Sequence, residues 1–307
     1  EEVFMEKREL IELYEKYREL IKQGVTPTRD NIAKYLNLSD RMAGQIMFLF
    51  KNAGEYIDIA LGENNGKRIK IGIIGDTHIG SKAQKVAELR TYYEYARREG
   101  VSAVFHTGDI LDGIGVYPGQ EFEVITPSID EQIKILKNEY PDDITTYFIL
   151  GNHDYRIWQK TGIDIGKMIE AEKSKMIYLG ITRAHISLGG IKIELWHGSG
   201  GGAYSLSYKL QKYIESYVPG EKPRFLFVGH YHTSAYLPIY RNVDAFLSAC
   251  FQGETLYTKR KGIHPTTGGW ILDIELTDKK EVVYTKAGFI PFYSKDIQYK
   301  NIKEIEL

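Results

Sequence analysis

The chain has 307 residues, 43% hydrophobic and 26% charged, a length that suits one domain of about 240 residues with a small companion. Its net charge of −1 excludes a global field that draws it to nucleic acid, so any such binding must come from local patches. One cysteine, Cys250, excludes an intrachain disulfide and reads as a buried small apolar residue. The charged start EEVFMEKREL and the absence of a run of about 18 apolar residues predict a soluble, intracellular (cytoplasmic) protein without a membrane span.

Residues 3–23 carry apolar side chains at Leu10, Leu13, Tyr17, Leu20 and Ile21, which predicts an amphipathic helix ending at Gly24. A second helix follows, capped by Thr28 and burying Ile32, Ala33 and Leu36. A third is expected over 41–52 and a strand over 55–61. That order resembles a winged helix-turn-helix. The third helix, with only Arg41, Gln45 and Lys51 as long polar side chains, suits docking to protein as well as reading DNA. The expected boundaries are a helical domain over 1–61, a Gly- and Asn-rich linker over 62–69, a catalytic domain over 70–290 and a polar tail over 291–307.

In KIGIIGDTHIG the apolar run 71–74 predicts a buried strand, with Asp76 and His78 at its C-terminal end. Side chains two apart on an extended segment project to one side, so this carboxylate and imidazole can grip one divalent cation. The construction recurs along the chain. A helix is predicted over 85–99, then a strand over 102–107 that delivers Asp109, whose two oxygens can bridge two cations. Asp112, in the same loop, can equally cap the turn or face metal or substrate. A helix over 127–140 and a strand over 144–150 lead to Gly151-Asn152-His153-Asp154, where Asn152 suits a second metal and His153 the leaving group. Tyr155, Arg156, Trp158 and Lys160 follow, a mix that fits nucleotide contact and the exposed face of a helix equally.

A strand over 191–196 ends at His197, and another over 224–228 ends at Gly229-His230-Tyr231-His232. Five of the eight histidines thus fall at strand ends among Asp76, Asp109 and Asn152, which packing alone does not explain. His106 reads as a core strand residue. Beyond the last motif, residues 258–262 form an expected basic loop in which Lys259, Arg260 and Lys261 either grip a phosphate backbone or stay solvated. Strands are expected over 269–276 and 281–286, joined by a turn at 277–280.

The ordered set DTH, GD, GNHD, HG and GHYH resembles the calcineurin-like metallophosphoesterases over about residues 69–290. The resemblance implies an α/β four-layer αββα sandwich, two mixed sheets with helices outside, holding two divalent ions between strand ends. It implies Asp76, His78 and His232 on one ion, Asn152, His197 and His230 on the other, and Asp109 between them. It further implies a metal-activated water as nucleophile, His153 as the acid for the departing oxygen and Asp154 as the carboxylate that orients His153. The ions expected are manganese, with magnesium, iron or zinc as alternatives.

The loop GDILDGIGVYPGQE and Gly80-Ser81-Lys82 are similar to the exonuclease (small) subunit of archaeal family D DNA polymerase, and the ligand set also resembles the double-strand-break repair nuclease. The polymerase subunit carries an OB-fold ahead of its phosphoesterase domain, where this chain carries about sixty residues that read as helical. The function expected is therefore a two-metal DNA nuclease of the 3′–5′ exonuclease kind. Its substrate contacts would be Tyr117, Tyr155, Arg156, Lys259, Arg260 and Lys261. Its partners would be DNA and either a second copy or a replication or repair protein. The alternatives are a phosphomonoesterase or small-molecule phosphodiesterase, and a non-catalytic DNA-binding or assembly subunit.

Overall fold

The computed structural model describes residues 12–13, 16–17, 19–20, 23, 29–39, 42–43, 56–60, 68–217 and 220–293. The chain divides into two compact units, Glu1–Tyr56 and Ile57–Leu307. In the first, helix α1 (Arg29–Leu36) turns Ile32 and Leu36 inward against Tyr17 and Ala43, the face its apolar spacing dictates. The predicted cap Thr28, the polar side chains Arg41, Gln45 and Lys51, the linker 62–67 and the tail from 294 lie outside the described residues. The strand expected near 55–61 is present as β1 (Tyr56–Ile59). It is the edge of a large sheet rather than the wing of a small domain, because Ile59 is buried in that sheet's core.

The larger unit holds two six-stranded sheets. One has β2 (Arg68–Ile74), β3 (Ala103–His106), β4 (Thr146–Leu150) and β5 (Met176–Ile181) in parallel, extended by β11 (Gly268–Leu276) and β12 (Val282–Pro291) in antiparallel pairing. The other runs β1, β6 (Arg183–Leu188), β7 (Ile191–His197), β8 (Phe225–Gly229), β10 (Val243–Ser248), β9 (Ser234–Tyr240), with β7, β8 and β10 parallel. Ile71, Ile73, Phe105 and Ile149 from the first sheet meet Ile193, Leu195, Phe227 and Phe246 from the second in one buried cluster. Strands covered on both faces read as unbroken apolar runs rather than alternating ones.

Four helices cover the outer face of the first sheet: α2 (Val86–Arg98), α3 (Ile129–Glu139), α4 (Asn152–Thr161) and α5 (Ile165–Glu172). Their boundaries follow local chemistry. Ser128 caps α3 through the Glu131 amide, and Gly100, at φ 75°, follows the end of α2 in the left-handed conformation a helix stop favours. On the second sheet, α6 (Tyr208–Glu215) seats Leu210 and Ile214 against Leu226, Val228 and Ala245. The architecture is the expected αββα sandwich. The basic loop expected at 258–262 is instead largely the short helix α7 (Leu256–Arg260), because Thr255 and Thr258 exchange capping hydrogen bonds across its first turn.

Candidate metal centre

Asp76 and His78 follow β2, Asp109 follows β3, Asn152 and His153 open α4 just after β4, His197 ends β7, and His230 and His232 follow β8. All seven expected ligands, and His153, therefore stand at the C-terminal ends of parallel strands, where a twisted sheet opens a crevice. Two sets made of expected ligands gather their donor atoms within 4.8 Å, Asp76, His78 and His232 in one and Asp109, His197 and His230 in the other, and a third such set joins His78 to Asp112 and His153. Asn152 Oδ1 completes the second, 3.0 Å from His197 Nε2 and 2.9 Å from His230 Nδ1. Asp109 Oδ2 lies between the sets, 3.3 Å from His197 Nε2 and 3.7 Å from His78 Nε2.

The backbone is bent to achieve this. Asp76, His78, Asp109, His230 and His232 all have positive φ, from 44° to 80°, a region that costs a side-chain-bearing residue roughly 1–3 kcal/mol. Such strain persists only where surrounding contacts impose it. Here Asp76 accepts the His230 amide on both oxygens at 3.0 Å, and Asp109 Oδ1 accepts the His153 amide at 2.8 Å. Gly108 has no room for a side chain, since a Cβ there would come 2.7 Å from His197 Nδ1.

The proton positions test whether a cation fits. His197 Nδ1–H donates to Thr107 O at 2.8 Å, and His230 Nε2–H donates to Gly200 O at 3.0 Å. A carbonyl only accepts, so in each neutral ring the inner nitrogen is a lone pair. In the neutral rings both lone pairs then point at Asn152 Oδ1, which is itself an acceptor, and His78, with its Nδ1–H given to Asp112 Oδ1, turns the lone pair of Nε2 toward His232 Nε2 at 3.2 Å. Acceptors crowded without a donor repel one another, and a divalent cation among them turns that repulsion into coordination. The donor set fits such ions.

The charges agree. Burial would raise Asp109, but His197, His153 and His78 hold it well below the usual carboxylate range. Burial would lower His197, yet Asp109 and Asp76 carry it up to about 9. His230 is pushed down to about 4, by burial first and then by the charge on His197. Positive charge is thus favoured beside Asp109 and Asp76, on a protonated His197 or on a cation that takes the place of its inner proton.

Asp154 does not orient His153. As the third residue of α4 it turns back on the helix start, and its oxygens accept the amides of Gly151 and Ile110 at 3.0 Å and of Leu111 at 2.9 Å. Neighbouring residues on a helix point in different directions, which keeps its carboxylate off the adjacent imidazole. Asp112 takes the role instead. Its carbonyl accepts His153 Nδ1–H at 2.6 Å and its Oδ1 holds His78 Nδ1 at 3.0 Å, while Gln120 and Gln252 donate to its carboxylate at 3.2 Å. His106 is the neutral core residue expected, pressed down to about 3 by burial, and it ties Thr77 to Gly108.

Among the candidate substrate contacts, Tyr117 lies beside the site, its ring 6.2 Å from that of His153. Tyr155 stacks on Trp158, and Arg156 donates to Gly115 O at 3.2 Å, so this guanidinium braces a loop. Lys259 and Arg260 are exposed on α7, with Lys261 just after it. Gln252, Glu123 and Tyr257, all near the site, had no motif to mark them. Only Tyr257, two residues before a Lys-Arg-Lys run, carried a usable signal in the sequence.

Residues 69–243 match the model of the calcineurin-like phosphoesterase superfamily domain. The chain belongs to that superfamily. Within it, the chain is similar to the DNA polymerase II small subunit of Archaeoglobus fulgidus, 24% identical over 72% of this chain and 54% of the relative. It is similar also to the DNA polymerase II small subunit of Methanothermobacter thermautotrophicus, 26% identical over 64% of this chain and 50% of the relative. The chain spans about half the length of these curated relatives. A solved structure of a hypothetical protein from Pyrococcus horikoshii aligns with a TM-score of 0.41 at 12% identity, over 75% of this chain and 90% of that one. No helix among the described residues is long and apolar enough to cross a membrane.

Proposed function

We propose that this calcineurin-like phosphoesterase is a two-metal DNA phosphodiesterase, an exonuclease of the 3′–5′ kind. The observation that carries the reading is Asp109 Oδ2, a single carboxylate oxygen facing both donor sets with His153 alongside, its ring 4.5 Å from that of His78. DNA as substrate, and a second polymerase subunit as partner, follow from the name of the curated relatives. The N-terminal unit, as a helix-turn-helix-like module, would serve that assembly or the DNA.

Asp76, His78, His232 and Asp109 would hold one ion and Asn152, His197, His230 and Asp109 the other, manganese being the first to test. Bound there, divalent ions act as Lewis acids on phosphoryl oxygens and make a water acidic enough to attack phosphorus near neutral pH. The chain's own residues do the rest. Asp112 O accepts the His153 Nδ1–H, so on the doubly protonated ring Nε2 is the nitrogen that gives its proton to the departing oxygen as the P–O bond breaks. The Asp112 carboxylate, held low by its bond to His78 despite burial, sits 3.7 Å from His153 Nδ1. Asn152 is a neutral donor, which limits the negative charge facing an anionic phosphodiester.

The test is manganese-dependent degradation of single- and double-stranded DNA labelled at either end, with His153→Ala as control. Stepwise shortening from the 3′ end is expected. In the control, metal content and DNA affinity should match the parent while cutting falls roughly 10²–10⁴-fold. Hydrolysis of small phosphate esters with DNA left intact would replace the reading with a small-substrate phosphoesterase.

A further inference from the structure

Outward from His153 the structure carries an aromatic step that the catalytic chemistry leaves unused. The Tyr117 ring, beside His153, is stacked face to face on Tyr257, centroids 4.5 Å apart and planes 30° from parallel. Both rings are held from behind. Glu123, 8% exposed, accepts the Tyr117 hydroxyl at 2.9 Å on one oxygen and the Leu256 amide on the other. One buried carboxylate therefore fixes the 116–124 loop and the start of α7 together, and the Thr255–Thr258 capping bonds fix the rest of that short helix.

The outer member of the pair is open. Tyr257 is 39% exposed and has Tyr117 as its ring partner. Lys259, Arg260 and Lys261 continue from it, with one 3.7 Å contact from Lys259 to Glu254 among them. An open aromatic face followed by three consecutive cations matches a polymer that alternates flat bases with phosphates. A protein-binding patch would be expected to shed lysine from its centre.

We propose that Tyr117 and Tyr257 form a stacking platform for an unpaired base flanking the bond to be cut, with Lys259, Arg260 and Lys261 along the adjoining phosphates, so that the substrate is single-stranded DNA. This rests on the nuclease reading for its substrate and adds strand state to it. A duplex keeps its bases stacked on one another and has none to offer Tyr257. Base stacking on an aromatic side chain is sequence-tolerant, so the platform selects unpaired strands without selecting a sequence.

The experiment measures binding of a fluorescent single-stranded oligonucleotide to the full chain by anisotropy, in calcium so that binding is read apart from cutting. A matched oligonucleotide carries abasic residues over its 3′-terminal segment. Tyr257→Ala and Tyr257→Leu should each weaken binding of the intact strand about tenfold. Tyr257→Phe should keep it, and all four proteins should bind the abasic strand alike. Equal losses on both strands, or no loss on either, overturn the platform and leave the exposed rings to a protein partner. Failure of the nuclease reading shows itself separately, as an intact strand uncut in manganese by a protein whose binding still depends on the base and on Tyr257.

Discussion

The role of orienting His153, which the motif order suggested for Asp154, falls to Asp112. GNHD places a carboxylate next to His153 in the chain, and adjacency invites the inference that it orients the imidazole. What decides is that β4 runs straight into α4, so Asp154 falls at the third helical position and its carboxylate closes back on three amides. Burial, then the charge on Asp109, push its carboxyl up to about 6 against those three hydrogen bonds. Asp154→Ala should therefore strip the acceptor from three buried N–H groups and cost about 3 kcal/mol or more in urea unfolding. The shape of the pH–rate profile set by His153 should persist in whatever fraction stays folded. A shifted profile at full stability would return Asp154 to the role of orienting carboxylate. The candidate metal ligands themselves were legible because each is a residue type with its own chemistry at a strand end. The positive φ of five of them and the proton positions on His197 and His230 were not, since these depend on amides, carboxylates and carbonyls brought together from separate loops.

At the scale of elements, strands that deliver a ligand announced themselves as apolar runs stopped by Gly, Asp, Asn or His. Of the strands that deliver none, β11 and β12 were marked by the turn between them, whereas β6 and β9 were not. β9 reads SAYLPIY, interrupted by Pro238 and half exposed as an edge strand, and so lacks the pattern of a buried one. The docking of α6 was equally hidden. Glu194, fully buried in β7, accepts hydrogen bonds from the hydroxyls of Tyr213 and Tyr217, with Arg183 at 3.3 Å and His185 at 3.2 Å. Tyr213 also stacks on Trp196 at 3.9 Å, so the helix is latched to the sheet by a charge under an aromatic lid. Burial alone would raise Glu194, but His185, Arg183 and Tyr213 hold it below the ordinary 4.5. A carboxyl lowered in the folded state contributes stability above the unfolded value and loses it as pH falls through the folded one. Glu194→Gln should cost about 2 kcal/mol at pH 7, and the gap to the parent should close as pH drops below about 4. Urea titrations at both pH values, followed by tryptophan fluorescence, read this directly. A constant gap would mean that the glutamate acts through shape and not through charge.

For the whole molecule, near-neutral charge constrains how DNA can be held. With 40 basic and 41 acidic side chains there is no diffuse positive field, and the three cations that follow Tyr257 in the chain stand around the end of α7. Counterion release from a single strand gives a slope of about −0.7 in log affinity against log salt for each phosphate neutralised. Three contacts predict a slope of about −2, shallow for a DNA-binding protein. Lys259→Gln should flatten it by about 0.7 while leaving the base-dependent part of binding, which comes from Tyr257, unchanged. Kd measured for one oligonucleotide between 50 and 200 mM salt decides the point. A slope several times steeper in the full chain would place most phosphate contacts elsewhere, and removal of residues 1–56 would then show whether the N-terminal unit supplies them. The shallow slope would leave that unit to a protein partner, consistent with the mostly apolar sequence of residues 42–50.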